Sequence, residues 1–231
     1  MSSSTRSRTR HPLERSRTAS KGRKPRLSRG GRIAAVATAA LVVLGAVFAV
    51  STRSNSGAGG QFPFAVGDPG PSQAAPAFTL ASATGGTVAL DDFRGQTVLL
   101  YFQEGLMCQP CWDQMIAIER DWQEFSTLGI DEMVTITTDP LDALAEKVRI
   151  EGLTRPVLSD PDLATSRQYD TNSYGMMGNS RNGHTFIVVG PDGQIRWRAD
   201  YGGAPEYTMY LPVPDLIADL RDGLGAATGA S

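Results

Sequence analysis

The chain has 231 residues, 41% of them hydrophobic and 20% charged, and a formal net charge of -2. That balance conceals a split: residues 1–32 carry eleven Arg and Lys against one acid, Glu14, whereas the rest carry eleven Arg and Lys against 23 acids, so a single uniform globule is excluded. The only two cysteines, Cys108 and Cys111, share one motif and leave none for a disulfide-stapled scaffold; with His11 and His184 the only histidines, the pattern also disfavours a structural zinc.

Residues 1–32 are rich in Ser, Thr and Arg and almost free of large apolar side chains. Such a segment cannot bury enough surface to fold and reads as a disordered basic cytoplasmic tail. Residues 33–50 contain no charge and only Thr38 and Gly45 as soft interruptions. As a helix they span about 27 Å, close to the hydrocarbon thickness of a bilayer, and read as a transmembrane signal anchor. The basic residues before it hold the N-terminus in the cytoplasm, making a single-pass protein of the cell membrane whose catalytic domain is extracytoplasmic. A cleaved signal peptide, with Val47 and Ala49 as small residues before a cut, is the competing reading and gives the same destination. No adjacent Arg-Arg pair points to twin-arginine export. A basic tail invites a nucleic-acid partner, but the membrane segment and the acidic remainder argue against one.

Residues 51–76 are dominated by Gly, Ser, Pro, Ala and Gln and read as a flexible linker. Its only large apolar residues, Phe62 and Phe64, are open to docking on the domain, to the lipid interface, or to being incidental. Residues 77–224 read as the folded domain and 225–231 as a disordered tail. Within the domain, Phe78–Leu80 and Thr87–Leu90 flank a Gly85-Gly86 turn and predict a β-hairpin, and Asp91–Gly95 a turn. The continuous apolar run Thr97–Phe102 predicts a strand covered on both faces. Cys111, Met115, Ile118, Trp122 and Phe125 recur at helical spacing and predict one long helix, with Asp113, Gln114, Glu119 and Glu124 on its other face.

Met133–Thr137 is a second core strand, so the strand–helix–strand unit implies a right-handed crossover and a parallel pair. Asp139-Pro140 reads as the cap of a helix carrying Leu141, Leu144 and Val148. A short strand at Pro156–Leu158, a short helix at Leu163–Tyr169 and a loop to Gly183 follow. His184–Val189 and Gln194–Ala199 form a hairpin, with Ile195, Trp197 and Ala199 on one face and Arg196 and Arg198 on the other. Pro214–Leu224 closes the domain as a helix.

The chemistry concentrates in Cys108-Gln109-Pro110-Cys111, at the junction of the central strand and the long helix. Cys111 lies on the buried stripe. Cys108 lies at the helix start, where unpaired N–H groups and the positive end of the macrodipole favour its thiolate. Cys108 is therefore expected to attack and Cys111 to resolve, across a first turn that lets the sulfurs reach bonding distance and tolerates Pro110. In an extracytoplasmic setting disulfides persist, so the pair reads as a redox dithiol.

Several stretches then resemble the thioredoxin-fold redoxins that include the alkyl hydroperoxide reductase and thiol-specific antioxidant (AhpC/TSA) family, together with membrane-tethered thiol-disulfide oxidoreductases. They are Pro76–Leu80, Leu90–Gly95, Tyr101-Phe102 through Cys111, and Thr185–Val189 before Pro191-Asp192-Gly193. The resemblance covers about residues 76–224. It implies a thioredoxin-like three-layer α/β/α fold with an N-terminal β-hairpin extension, preceded here by one transmembrane helix, and an antioxidant role in cell redox homeostasis. Two departures stand out. The family's peroxidase signature places Pro seven and Thr or Ser three residues before the reactive Cys, where this chain has Tyr101 and Gly105. Opposite the active site, where the fold usually carries a cis-proline, stands Gly183, followed by His184.

His184 has three readings: a group that lowers the Cys108 pKa or shuttles its proton, a copper ligand with Cys108 and Cys111 as in Sco-type proteins, or a strand cap. Met176 and Met177 are soft residues in the same loop. Glu104, four residues before Cys108, is a proton acceptor for resolution or a solvated loop acid. Trp112 covers the disulfide, joins Pro110 and Gly183 in binding substrate, or simply packs. Three functions follow. The first is a thiol-disulfide oxidoreductase without a cofactor, acting on protein clients and recharged by a membrane or secreted thiol protein. The second is a copper chaperone, and the third a thiol peroxidase.

Overall fold

The computed structural model describes residues 61–228. The expected basic tail (1–32), membrane anchor (33–50), first part of the linker (51–60) and last three residues lie outside that range. Among the described residues no helix is long and apolar enough to cross a membrane.

Seven strands form one mixed sheet in the order β2-β1-β5-β4-β3-β6-β7. They are β1 (Thr79–Ser82), β2 (Thr87–Ala89), β3 (Val98–Phe102), β4 (Glu132–Thr137), β5 (Val157–Ser159), β6 (Thr185–Val189) and β7 (Ile195–Asp200). The helices are α1 (Gln109–Arg120), α2 (Trp122–Thr127), α3 (Leu141–Glu151), α4 (Ala164–Gln168) and α5 (Val213–Thr228). As the apolar run implies, all five β3 residues are buried, and β3 pairs parallel with β4 and antiparallel with β6. The expected hairpin forms from β1 and β2, and β1 also pairs antiparallel with β5, which welds the hairpin into the sheet.

The strand alternation feeds two apolar layers. Leu99 and Tyr101 face the one that contains Met115, Ile118, Leu144 and Leu216, from α1, α3 and α5. Leu100 and Phe102 face the other, closed by Phe78, Leu90 and Tyr169. Because β3, β4 and β5 run parallel and step in one direction, right-handed crossovers put α1 and α3 on the same face.

The structure corrects several expectations. The long helix is two: α1 ends at Arg120 and α2 begins at Trp122, with Asp121 (φ -101, ψ 22) at the junction. Gln114, expected on the solvent face, is fully buried because its Oε1 accepts the Leu211 N–H at 2.7 Å. In β7, a bulge opposite Val188/Val189 inserts one residue, so Ile195 faces the layer of Leu100 while Trp197 and Ala199 face that of Leu99. Residues 225–228, expected to be disordered, continue α5.

Arg198, expected on a polar face, is fully buried. Its guanidinium forks onto both carboxylate oxygens of Asp200 (2.8 and 2.9 Å) and donates to the carbonyls of Pro69 and Tyr169 (3.0 and 2.8 Å). Asp200 Oδ2 also accepts the Gly67 N–H at 2.8 Å, and Ala65 bridges to the Asp200 backbone. Phe64, 9% exposed, packs edge-on against Trp197 and Tyr201. Residues 61–76, expected to be flexible linker, are therefore a strap fastened across β7, and Phe64 takes the docked one of its three readings. Removing one member of a buried ion pair strands the other charge, at a cost of roughly 3–5 kcal/mol. Arg198→Met is expected to lower the urea unfolding midpoint accordingly; a loss below about 1 kcal/mol would show that the pair does not hold the strap.

Candidate functional site

The site lies where β3 and β4, being parallel, deliver their carboxyl ends to one edge of the sheet. From β3 the chain runs through Gln103, Glu104, Gly105, Leu106 and Met107 into Cys108, the N-cap of α1, with Gln109 and Pro110 opening the first turn. Cys108 and Cys111 are joined as a disulfide, their Cα atoms 5.3 Å apart. Cys108 is 7% exposed and Cys111 fully buried, so the inequality inferred from sequence holds, although Cys108 is far less open than a helix-start thiol was expected to be. Cys108's carbonyl accepts from the Cys111 and Trp112 N–H groups, at 3.0 and 3.4 Å, and its side chain makes no capping hydrogen bond, so the thiolate is favoured here by its position at the positive end of α1.

The approach loop is held from four directions. Gly105 has a φ of +103°, and a Cβ there would overlap the Asp139 carboxylate and press on Arg181. Gly105 N donates to Gln103 Oε1 (2.5 Å), and Leu106 N donates to Asp139 Oδ2 (2.7 Å). Arg181 Nη1 donates to the Glu104 carbonyl (2.8 Å) and to Asp139 Oδ1 (3.0 Å), joining the loop to residues 174–182. Trp112 Nε1 donates to the Gly105 carbonyl at 3.2 Å. Trp112 is fully buried, so it pins the loop from beneath and presents no surface to a substrate. Asp139, expected as a helix cap, makes no capping bond; the N-cap of α3 is Pro140, and the Asp139 carboxylate serves the site instead.

Glu104 is 7% exposed, and its Oε1 accepts the Met176 N–H at 3.2 Å. Burial raises its pKa from the ordinary Glu value, against the opposing pull of the Met176 N–H and of Arg181. It is thus not a solvated loop acid. His184 is fully buried, with Nδ1 2.8 Å from the Tyr101 hydroxyl and Nε2 without a partner. Its ring lies edge-on to Tyr101, Phe186 and Tyr201. Burial depresses its pKa to about 3, so the imidazole is neutral at physiological pH and supplies no positive charge to a thiolate. Tyr101 is pushed well above its usual pKa by burial and by the nearby Glu104.

Gly183, expected to admit a substrate backbone, is occupied from within: a Cβ there would overlap the Tyr174 carbonyl, and its N–H donates to the Thr171 carbonyl at 3.0 Å. Pro110 remains exposed beside the disulfide. Among the described residues no group of three or more His, Cys, Asp or Glu is gathered to hold a metal ion. Of the residues named for copper, Cys108 and Cys111 are bonded to each other and His184 Nδ1 is engaged by the Tyr101 hydroxyl. Sequence reasoning missed Tyr101, Gln103, Asp139 and Arg181 as site residues. Only Asp139 was signalled, by its place at the carboxyl end of a parallel strand.

A buried, reversible dithiol at a helix start on this sheet defines a thiol-based redox protein of the thioredoxin-like class. The AhpC/TSA family model matches residues 71–198, and the chain belongs to that family. It is 35% identical over 130 residues to a Mycobacterium tuberculosis protein provisionally named a peroxiredoxin, covering 54% of this chain and 81% of that one. It is 31% identical over 124 residues to Escherichia coli peroxiredoxin Bcp, covering 52% of this chain and 79% of that one. Among solved structures, peroxidoxin BcpB of M. tuberculosis shares the fold, with a TM-score of 0.55 at 20% identity over 66% of this chain and 97% of that one. Enterococcus faecalis AhpC does likewise, with a TM-score of 0.56 at 15% identity over 70% and 96%. The chain is thus a redox enzyme of the peroxiredoxin-like branch of the fold.

Glu104→Gln keeps the acceptor for Met176 and removes the titration. Since the folded state holds the Glu104 proton more tightly than the unfolded chain, the wild type should lose stability relative to Glu104→Gln as pH rises from the ordinary Glu pKa through the raised one, with no further change above it. Urea unfolding of both proteins between about pH 4 and pH 8 checks this, and a flat difference would count against the buried acid. Gly105→Ala should cost roughly 1–3 kcal/mol and slow the reaction at Cys108, because the loop must retreat from Asp139; an unchanged urea midpoint would show that the loop has another way to yield.

Proposed function

We propose that this protein is an extracytoplasmic, membrane-anchored thiol-disulfide oxidoreductase that exchanges its Cys108–Cys111 disulfide with protein partners. The observation that carries the reading is the disulfide, with its less buried sulfur at the N-cap and its other sulfur locked in the first turn of α1. In the reducing direction, the Cys108 thiolate attacks a client disulfide and the client's leaving thiolate takes up a proton. Cys111 loses its proton and attacks the Cys108 sulfur of the mixed disulfide, releasing the reduced client and restoring the internal bond. Glu104, whose pKa burial raises, would exchange the proton that Cys111 surrenders. A membrane or secreted thiol protein would recharge the pair, and the anchor at 33–50 would raise the local concentration of such partners. No cofactor enters this cycle.

A second reading, peroxide reduction, is favoured by the names of the relatives. There the Cys108 thiolate would take the terminal oxygen of a hydroperoxide, giving a sulfenic acid and an alcohol or water, and Cys111 would displace water to form the same disulfide. Against it, the position three before Cys108 is Gly105, with no hydroxyl and with the Asp139 carboxylate where a side chain would begin. Tyr101, seven before, is buried against His184.

Cys108→Ser is expected to abolish reduction of insulin disulfides, whereas Cys111→Ser should retain partners as mixed disulfides on Cys108, identifiable by non-reducing electrophoresis and mass spectrometry. Undiminished insulin reduction by Cys108→Ser would sink the first reading. Peroxide consumption supported by a thiol reductant at rates exceeding protein disulfide exchange would replace it with the second.

A further inference from the structure

The chain between β7 and α5, Tyr201 to Pro212, bears on the disulfide. Met209, 9% exposed, forms a buried cluster with Cys108 and Cys111. Its backbone surroundings are fixed on both sides. Thr208 N donates to the Tyr201 carbonyl at 3.1 Å, and Leu211 N donates to Gln114 Oε1 at 2.7 Å. Gln114 belongs to α1, the helix that carries Cys111, so one end of this segment is tied to the redox helix itself. The side chains flanking Met209 behave oppositely: Tyr207, in the left-handed region at φ 47°, is 42% exposed and Tyr210 is 39% exposed. The backbone is thus anchored so that Met209 turns inward onto a disulfide whose outer sulfur is 7% exposed, while Leu211 enters the main core beside it.

We propose that Met209 is a gate over the Cys108 sulfur, a positioning residue that sets which thiols reach the disulfide. An incoming thiolate must approach Cys108 Sγ along the S–S axis, form a bond to it, and send the electron pair of the breaking bond to Cys111 Sγ. A side chain packed on the disulfide obstructs that approach. Methionine suits a gate because it is unbranched and swings through three side-chain torsions, so the path clears by rotation while both backbone anchors stay made. A small thiol passes when the side chain rotates. A bulky thiol passes only if it also displaces the gate, and a partner that brings apolar surface to replace the lost contact is favoured over one that does not. The gate rests on the dithiol reading of the preceding section, which Cys108→Ser tests separately.

The test uses the full-length oxidised protein, with reduction followed by quenching and mass analysis. Second-order rate constants are measured for dithiothreitol, a compact dithiol, and for glutathione, a bulkier charged monothiol. Met209→Ala is expected to accelerate reduction by both, with glutathione gaining roughly tenfold or more, since exchange rates follow access to the attacked sulfur. Met209→Leu, of similar volume, should stay within about twofold of wild type. Met209→Val, which shortens the side chain but keeps it apolar, carries the same test should the alanine variant unfold. Urea midpoints measured alongside separate a gate from general loosening, because acceleration by a gate persists in variants of unchanged stability. The proposal is overturned if Ala and Val leave both rate constants within about twofold of wild type, if Leu accelerates as much as Ala, or if the gain tracks lost stability alone. A Cys108→Ser protein that still exchanges disulfides removes the dithiol reading. Loss of exchange in Cys108→Ser with no effect at Met209 removes only the gate.

Discussion

The placement of the reactive sulfur depends on one carboxylate. Residues 103–107 connect a central strand to the redox helix without forming a helix or strand of their own. Asp139 supplies what they lack: Oδ2 accepts from Leu106 N and from Thr137 Oγ1 (3.2 Å), Oδ1 accepts from Arg181, and its own carbonyl accepts from Ser159 Oγ (2.7 Å). Asp139 is 4% exposed, and these bonds satisfy its buried oxygens. The absence of a side chain at Gly105 is what allows the loop to come this close. Asp139 is therefore the group on which the loop's other braces, Arg181 among them, converge before the chain enters α1.

Much of this could be read in the sequence, for identifiable reasons. The buried strand, the parallel crossover, the two hairpins and the unequal cysteines all follow from local patterns: an unbroken apolar run, helical spacing, turn residues and a motif at a strand-helix junction. What escaped reading depends on contacts distant in sequence. Gln114 looks polar and solvent-facing until Leu211, 97 positions away, is seen to need an acceptor. Arg198 alternates correctly for a solvated face until the strap of residues 61–76 is laid over it. The bulge in β7 reverses Ile195 because one extra residue inverts a period-two pattern, and nothing in the six-residue strand announces it. At the site, His184 was legible as a residue near the strand start, but its neutrality follows from the aromatic surroundings assembled by β3, β6 and Tyr201, just after β7.

That neutrality bears on how the dithiol is tuned. A protonated histidine beside a cysteine would favour the thiolate, yet His184 is held far below its ordinary pKa and spends its Nδ1 on Tyr101. Glu104's pKa is raised, its burial outweighing the Met176 N–H and Arg181. Both groups are thus driven towards their neutral forms by the same desolvation. What the structure does place at Cys108 is the start of α1, whose macrodipole favours a thiolate there without the titration of any side chain.

The relationship to peroxiredoxins can be understood in the same terms. The fold retains the sheet, the strand-helix junction and a reactive cysteine at the helix start. At the two signature positions, however, this chain carries residues that brace the protein: Gly105 yields its space to Asp139, and Tyr101 turns inward to His184. A scaffold that positions a thiolate is indifferent to what the thiolate attacks, and the choice is made by the groups around it. Here those groups are a second sulfur within bonding distance, a buried acid and an apolar side chain packed on the bond between the sulfurs. On the proposed dithiol reading, the side chain packed on the disulfide must swing aside before a thiolate reaches Cys108, and a protein partner that brings both a sulfur and apolar surface is the reactant that reading favours.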